Sequence, residues 1–356
     1  MAQVSLALAD ADTLFLKKLS AYLHKSIPHL SLELFTEPQA FKKWVNKMGD
    51  ADLVVISAQF YRQLGSIESN NSILLLRDCA GSFLPEKVKS INKYIPAESI
   101  LKEILSVCAE KIPGYLYHEK GSGKITTVFY ADGSDAFNPF AQALAYYKAS
   151  EGDKIIYLNL DEFSNTDLFF SGNNDRGLSE LLYYIKSKKD NLYLKTEACF
   201  STDMTTGISF MKGHNNPDDI KKLSQEEIST LVNIFKNQYS SWQTIISKAF
   251  TYDLITSFLL KEASKVYITG LNYPTSIERL KRISAVIIGY EEDEKIALKD
   301  KVVFCISPAA NGQRHANNCI EGFSTLTLPY WDFESSGLFP PSQYYISQLK
   351  EAIGNC

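Results

Sequence analysis

An α/β protein of two parallel-sheet domains is what the sequence predicts, and three observations carry that expectation. Short apolar runs of strand length alternate with amphipathic stretches of helix length along nearly the whole chain. A charged stretch marked by proline and glycine, EKIPGYLYHEKGSGK (110–124), interrupts the alternation. A chain of 356 residues also exceeds what one ordinary core organises. The expected organisation is a domain over 1–110, a linker over 111–123 and a second domain over 124–356.

Each element has its own justification. VSLALAD (4–10) reads as a buried strand, and Thr13–Lys25 as a helix with Leu16, Leu19 and Leu23 on one stripe. LSLELF (30–35), ADLVVIS (51–57) and SILLLRD (72–78) read as further strands. Glu37–Lys47 reads as a helix, and Ala97–Glu110 as the closing helix, entered at Pro96. Strands separated by helices of this length imply parallel βαβ units, and about five of them fit a flavodoxin-like sheet. The second domain opens with the strand KITTVFYAD (124–132), then an apolar helix over Asn138–Ala149 and the strand KIIYLNLD (154–161). Leu178–Lys186, Gln225–Tyr239 and Trp242–Phe250 read as helices, and 195–250 also holds an edge hairpin. VYITGL (266–271), SAVIIGY (284–290) and KVVFCIS (301–307) read as buried strands, and Gln343–Ile353 as a terminal helix.

Composition excludes several classes. Hydrophobic residues at 45% and charged residues at 22% describe a globular protein. A formal net charge of −4, with no Lys/Arg run longer than two, argues against a bare nucleic-acid binder. MAQVSLALADADTLFLKK has no basic n-region, and no apolar run approaches the ~20 residues of a membrane span, so neither a signal peptide nor a transmembrane segment is expected. The six cysteines and five histidines show no ligand spacing. The expectation is reduced thiols, a cytoplasmic location and no metal site.

Gly121-Ser122-Gly123-Lys124 looks like a phosphate loop, but it precedes a strand, lacks a glycine five residues before Gly123, and leads into no helix. The loop in the right place is YADGSDAFNPFAQALAYY (130–147), between a strand and a helix. Strand, glycine turn, Ala-rich helix and then GDKIIYLNLDEF resemble the MinD/ParA-type ATPases. Among them the chain looks most like the CpaE/TadZ group, receiver-plus-ATPase proteins that assemble and localise Flp-type pili.

That resemblance implies a register. The helix segment FAQALAYY (140–147) puts Asp132 at the family's signature lysine, Gly133 at its first glycine and Ser134 at its second. Ala136 falls at the third glycine, Phe137 at the phosphate lysine, and Asn138 and Pro139 at the two threonines. Phe137 supplies no cation, and Pro139 has neither a hydroxyl for Mg²⁺ nor an N–H. Asp132 and Asp135 put like charge beside a phosphate. Each such pair costs on the order of 4 kcal/mol at about 4 Å and an effective dielectric near 20. Helix-terminal amides return only about 1–2 kcal/mol. Repulsion wins. As a helix start the stretch is sound, with Asn138 as cap and Pro139 at the first helical position.

Asp161 falls where the family keeps an acidic residue after its second strand, and reads as a cap or solvated carboxylate. The family's later strand ends in an aspartate that reaches Mg²⁺ through water. The stretch matched to it, 250–269, carries Thr256-Ser257 at that point, so the metal partner is missing. The N-terminal domain resembles a response-regulator receiver, stripped in the same way. Asp10 and Asp12 supply acids after the first strand, read as a solvated loop, and Lys93 in INKYIPAESILKEIL matches the receiver lysine. Ser57 stands where the phosphoacceptor aspartate belongs.

The resemblance therefore implies a pseudo-receiver joined to a pseudo-ATPase, with no cofactor and no catalytic residue. It implies a homodimer that binds partners of a pilus assembly or secretion machine, without nucleic acid, at the inner membrane face. The alternative is an atypical ATPase or nucleotide sensor that binds ATP with Mg through the amides of 133–138, with Asp161 assisting.

Overall fold

The structure, a computed structural model, describes residues 4–27, 30–47, 49, 51–64, 72–78, 88–111, 123–189, 191–310, 319–332 and 339–354. Most of the 111–123 linker, including Gly121 and Ser122 of the decoy loop, lies outside the described residues. The chain forms two compact units. The first is Met1–Tyr117 with Asn173–Asp175 and Ser187–Cys199; the second is His118–Gly172, Arg176–Lys186 and Phe200–Cys356.

The first unit runs β1 (Ser5–Ala9), α1 (Thr13–Ser26), β2 (Ser31–Phe35), α2 (Pro38–Asn46), β3 (Leu53–Ser57), α3 (Ala58–Leu64), β4 (Ser72–Arg77), β5 (Lys89–Asn92) and α4 (Ala97–Lys111). Its five strands lie in the order β2-β1-β3-β4-β5, all parallel, the doubly wound order of flavodoxin-type sheets. The central strand β3, LVVIS, is buried throughout, while the edge strand β2 is half exposed, so apolar continuity in sequence tracks position in the sheet. Phe41 packs between Phe35, Trp44 and Phe60, with ring centroids 5.2, 5.6 and 6.2 Å away. Burying each such ring contributes about 2–3 kcal/mol.

The second unit begins with β6 (Lys124–Tyr130), α5 (Phe140–Ser150) and β7 (Ile155–Asn159). It continues through α6 (Leu178–Lys186); α7 (Leu192–Cys199) belongs to the first unit, where Lys102 Nζ donates to the Glu197 carbonyl at 2.7 Å. Then come β8 (Ser201–Thr202), β9 (Ser209–Phe210), α8 (Asp218–Lys221), α9 (Gln225–Gln238), β10 (Gln243–Ala249), α10 (Leu254–Glu262), β11 (Lys265–Leu271), α11 (Pro274–Glu294), β12 (Val302–Ser307), β13 (Ser324–Thr327) and α12 (Gln343–Gly354). The eight strands lie in the order β13-β12-β11-β6-β10-β7-β9-β8, all parallel except the β8–β9 pair at one edge.

Two sequence expectations are overturned. SAVIIGY (284–290) is no strand but the middle of α11, which Pro274 starts and which buries Ile277, Leu280, Ile283, Ser284 and Ile287 at helical spacing. Trp242–Phe250 is no helix. Its TIIS run forms β10, zipped between β6 and β7 over Gln243–Ala249 and Gln243–Ser247. Among the described residues no helix is long and apolar enough to cross a membrane.

Candidate functional site

β6 stands where the second unit's strand order reverses: the chain leaves it for β7 on one side, returns through β10, and crosses to β11 on the other. Ligand crevices of open parallel sheets form outside the strand ends at such a reversal. The β6–α5 loop (131–139) occupies that position. Gly133 adopts φ 91°, a left-handed backbone that only glycine enters without strain.

Three of the loop's amides are spent within the loop itself. Gly133 N–H donates to the Tyr130 carbonyl at 3.2 Å, Ala136 N–H to Ser134 Oγ at 3.3 Å, and Asn138 N–H to the Asp135 carbonyl at 3.2 Å. At the start of α5, Phe140 N–H donates to the Asn138 carbonyl at 2.8 Å and Ala141 N–H to the buried Tyr130 hydroxyl at 3.0 Å. The expected Asn138 cap does not form. Pro139 is the cap residue, while Asn138 donates to the Pro329 carbonyl (3.1 Å) and accepts from Tyr345 (2.8 Å), tying the loop to the stretch after β13 and to α12. Phe137, which the resemblance puts at the phosphate lysine, is 57% exposed. Asp132, expected to repel an anion, is committed elsewhere: it accepts from Leu271 N–H (3.0 Å) and Ser276 Oγ (2.6 Å) and pairs with Arg279 (2.9 Å).

Asp135 points the other way. Beside the loop lies a cavity of about 780 Å³, walled by Gly133, Ser134, Asp135, Asp161 and Lys248, with Leu160, Ile220 and Ile255 among its apolar residues. Asp135 is buried and accepts from Gln142 Nε2 (2.6 Å) and Asn165 Nδ2 (2.8 Å). Asn165 in turn accepts from Asn159 Nδ2 (3.2 Å), and Asn159 Oδ1 accepts from Asp161 N–H (2.8 Å), so one polar chain links the two acidic residues. The Asp161 carboxylate is neither cap nor solvated. It accepts from Ala249 N–H, and burial pushes it up to about 6 against that donor, with Asp135 adding to the rise. His214 places Nε2 2.7 Å from the Asp161 carbonyl oxygen.

The strand whose end faces this cavity is β10, not a strand within 250–269. It ends in Lys248-Ala249, and 254–262 is the helix α10, capped by Asp253 through Thr256 N–H. Where an aspartate was sought there stands a buried lysine. Lys248 Nζ donates to Thr251 Oγ1 (2.5 Å), Asp253 Oδ2 (2.8 Å) and the Ala249 carbonyl (3.2 Å). Lys248, Gln142, Asn165 and Asp253 are the site residues that sequence reading missed. The Asp253-x-x-Thr256 helix start was the available signal.

In the first unit the structure brings Asp10, Asp12 and Lys93 together. Lys93 Nζ lies 2.7 Å from Asp10, 3.7 Å from Asp12, 4.0 Å from Asp78 and 4.6 Å from the centre of the Phe15 ring. Burial opposes its charge, but hydrogen-bonded Asp10, then Asp78 and Asp12, outweigh burial and raise its pKa. The solvated-loop expectation holds only for Asp12, an exposed cap of α1; Asp10 is buried. Ser57 is buried and accepts from Phe60 N–H at 3.3 Å, opening α3. Among the described residues no group of three or more His, Cys, Asp or Glu is arranged to hold a metal ion.

No family model and no curated relative matches this chain. Solved structures do. It is similar to a ParA family ATPase from Chlorobium tepidum, with a TM-score of 0.50 and 17% identity over 66% of this chain and 97% of that one. Also similar are the MinD cell division protein of Aquifex aeolicus (TM-score 0.47, 14% identity, 65% and 97% covered) and a putative plasmid partition protein of Borrelia burgdorferi bound to AMPPNP (0.43, 13%, 65% and 97%). What the first likeness shows is the fold: a mostly parallel sheet flanked by helices, of the MinD/ParA ATPase kind.

Proposed function

We propose that this chain is a non-catalytic interaction protein, a pseudo-receiver joined to a pseudo-ATPase, which scaffolds or localises a pilus assembly or secretion complex. In this reading it acts as a homodimer and reaches the inner membrane face through its partners. The observation that carries the loss of nucleotide chemistry is the β6–α5 loop: Gly133, Ala136 and Asn138 have committed their amides, and no lysine stands among residues 131–139. A triphosphate there would meet Asp135 and Asp161, while the cavity's lysines, Lys221 and Lys248, are already paired with Glu162 and Asp253. ATP with Mg does not fit this donor set, so no hydrolytic step is derived. The receiver reading of the first unit rests on its 2-1-3-4-5 strand order and on Lys93 paired with Asp10.

Calorimetric titration with ATP–Mg and ADP–Mg tests the proposal. No heat of binding at millimolar nucleotide is expected. Saturable binding at micromolar concentration sinks it in favour of the nucleotide-sensor alternative, for which the retained cavity is the supporting observation. The pilus role is tested separately, by deleting the gene in a host that makes such pili. Unchanged pilus assembly would remove that assignment and leave the scaffold reading without this machine.

A further inference from the structure

The cavity keeps a ligand-sized volume, about 780 Å³, within the ~300–1,000 Å³ range of small-molecule sites. Its charge has changed character. Lys221 pairs with Glu162 at 2.9 Å and Lys248 with Asp253 at 2.8 Å, so both lining lysines are neutralised by lining acids. Asp135 and Asp161 are left over. Among the described residues neither has an ion-pair partner within 4 Å, and Asp135 is only 7% exposed. Amides from Gln142 and Asn165 hold Asp135, but amides orient a carboxylate without cancelling its charge. Leu160, Ile220, Leu223, Ile228, Leu254 and Ile255 line the same cavity.

We infer that this cavity binds a small organic cation, an alkylammonium or guanidinium head on an apolar body, with the head at Asp135 and Asp161 and the body against the aliphatic wall. A buried Asp135 carboxylate, with Asp161 close enough to feel its charge and no ion-pair partner on either, gains most from a ligand that supplies a cation, and a charge-assisted hydrogen bond favours such a ligand over a neutral isostere by about tenfold or more. The aliphatic wall adds selectivity against fully hydrated ions, which would leave it uncovered. The inference goes beyond the reading above and stands on different residues from the pilus assignment. Amine binding and nucleotide binding are measured independently, so either can fail alone.

Asp161 gives the test an internal control. The charged groups facing it are Asp135 from the β6–α5 loop, Lys248 at the end of β10, its neighbour Glu162 and the ring of His214. Glu162 is paired with Lys221, and Lys248 with Asp253. Because the Asp161 carboxyl sits up at about 6, cation affinity is expected to fall as pH drops from 8 to 5.

The experiment is calorimetry on the full chain with 1,8-diaminooctane, octane-1,8-diol and N-acetyl-lysine methylamide, at pH 8 and pH 5. The diamine is expected to bind saturably, at least about tenfold more tightly than the diol, and about tenfold more weakly at pH 5. Asp161→Asn, which keeps an acceptor for Ala249 N–H, is expected to flatten the pH dependence. Asp135→Asn is expected to weaken the diamine further, and the wild-type pH profile stands should that variant misfold. If the lysine amide binds more tightly than the diamine, the cation comes from a partner chain; if the diamine wins, it is a free amine. Either ranking upholds the cation chemistry. Equal binding of diol and diamine, binding independent of pH, or none at millimolar diamine overturns it.

Discussion

Lys93, one residue past β5, and Lys248, near the end of β10, are both buried lysines, yet they leave opposite electrostatic states behind. Around Lys93 one ammonium serves Asp10, Asp12 and Asp78, and Phe15 covers it. The site is closed by a cation that is part of the chain. Around Lys248 the ammonium is consumed by Asp253 and two threonines, and Asp135 and Asp161 remain beside an open cavity. On the reading proposed above, a site without its chemistry has two stable outcomes. An internal cation removes the need for a ligand, or the residual charge stays on the wall and the cavity stays selective.

The largest effect that would break this comparison is at Lys93. Lys93→Met leaves Asp10 buried without its partner, and breaking a buried pair costs about 3–5 kcal/mol. Urea denaturation, read by hydrogen exchange in peptides of β1 and β3, should report that loss in the first unit. Adding Asp10→Asn should recover most of it. A double variant no better than Lys93→Met would mean that the pair does not close the site. The linkage sign follows from the raised pKa: the stabilisation from Lys93 is fully present below the ordinary lysine pKa and is lost only as pH rises above it, through the folded value.

Next in size is Asp161, whose sign is reversed. Its carboxyl, held at about 6 against an ordinary 3.8, binds its proton more readily in the folded state. Between those two values the folded chain carries more protons than the unfolded one, so stability rises as pH falls from about 6 to about 4. The shift amounts to on the order of 3 kcal/mol at most, fully present as a penalty above pH 6. Asp161→Asn is therefore expected to stabilise the second unit by about 1–3 kcal/mol at pH 8 and to change little at pH 4. Asp203 and Asp253, where hydrogen bonds from Thr206, Ser171 and Lys248 overcome burial and hold the carboxyls low, act in the opposite sense. Their stabilisation is present above the ordinary carboxylate range and lost only at more acid pH. Parallel melting curves of wild type and Asp161→Asn from pH 4 to 8 would contradict the burial of this group.

How much of this was legible in the sequence divides along the same line. The βαβ alternation and the strand–loop–helix at 124–150 were readable because each is local: a run of apolar residues, a glycine at a turn. The charge state of the cavity was not, because it depends on β10, and a seven-residue strand, QTIISKA, flanked by aromatics carries no periodicity that separates it from a helix. SAVIIGY failed in the mirror sense, an apolar β-branched run inside a helix set by Pro274 several turns earlier. Misplacing β10 moved the search for an acid to 250–269 and hid Lys248. Asn138 was misjudged for another reason: a good local capping residue was claimed by Tyr345 and Pro329, 207 and 191 residues away.

Smaller effects sharpen the claim that the loop keeps its architecture. Gly133→Ala meets open space, with nothing within 4 Å of the new Cβ, but must hold φ 91°. The expected cost is about 1–2 kcal/mol of stability, without a cavity-filling component. A neutral result by thermal denaturation would mean the loop relaxes to another backbone.

Phe137→Lys should have the smallest effect. Its side chain is 57% exposed, so stability should move by no more than about 0.5 kcal/mol. The substitution returns a lysine to the position where the ATPases carry one, and if that residue alone had been lost, ATP–Mg affinity should return with it. We expect no return. The amides of Gly133, Ala136 and Asn138 are already bonded within the loop, those of Phe140 and Ala141 to Asn138 and Tyr130, and Asp135 and Asp161 would still face the phosphates. One ammonium at the loop's edge cannot outweigh two carboxylates and five spent donors. Restored binding would be plain to see, since a ligand at a hundredfold excess over Kd stabilises by about 2.7 kcal/mol. That outcome would place the whole deficit in a single side chain and make the committed amides incidental. No shift, with the diamine response intact, would place it in the backbone and in the charge of the wall.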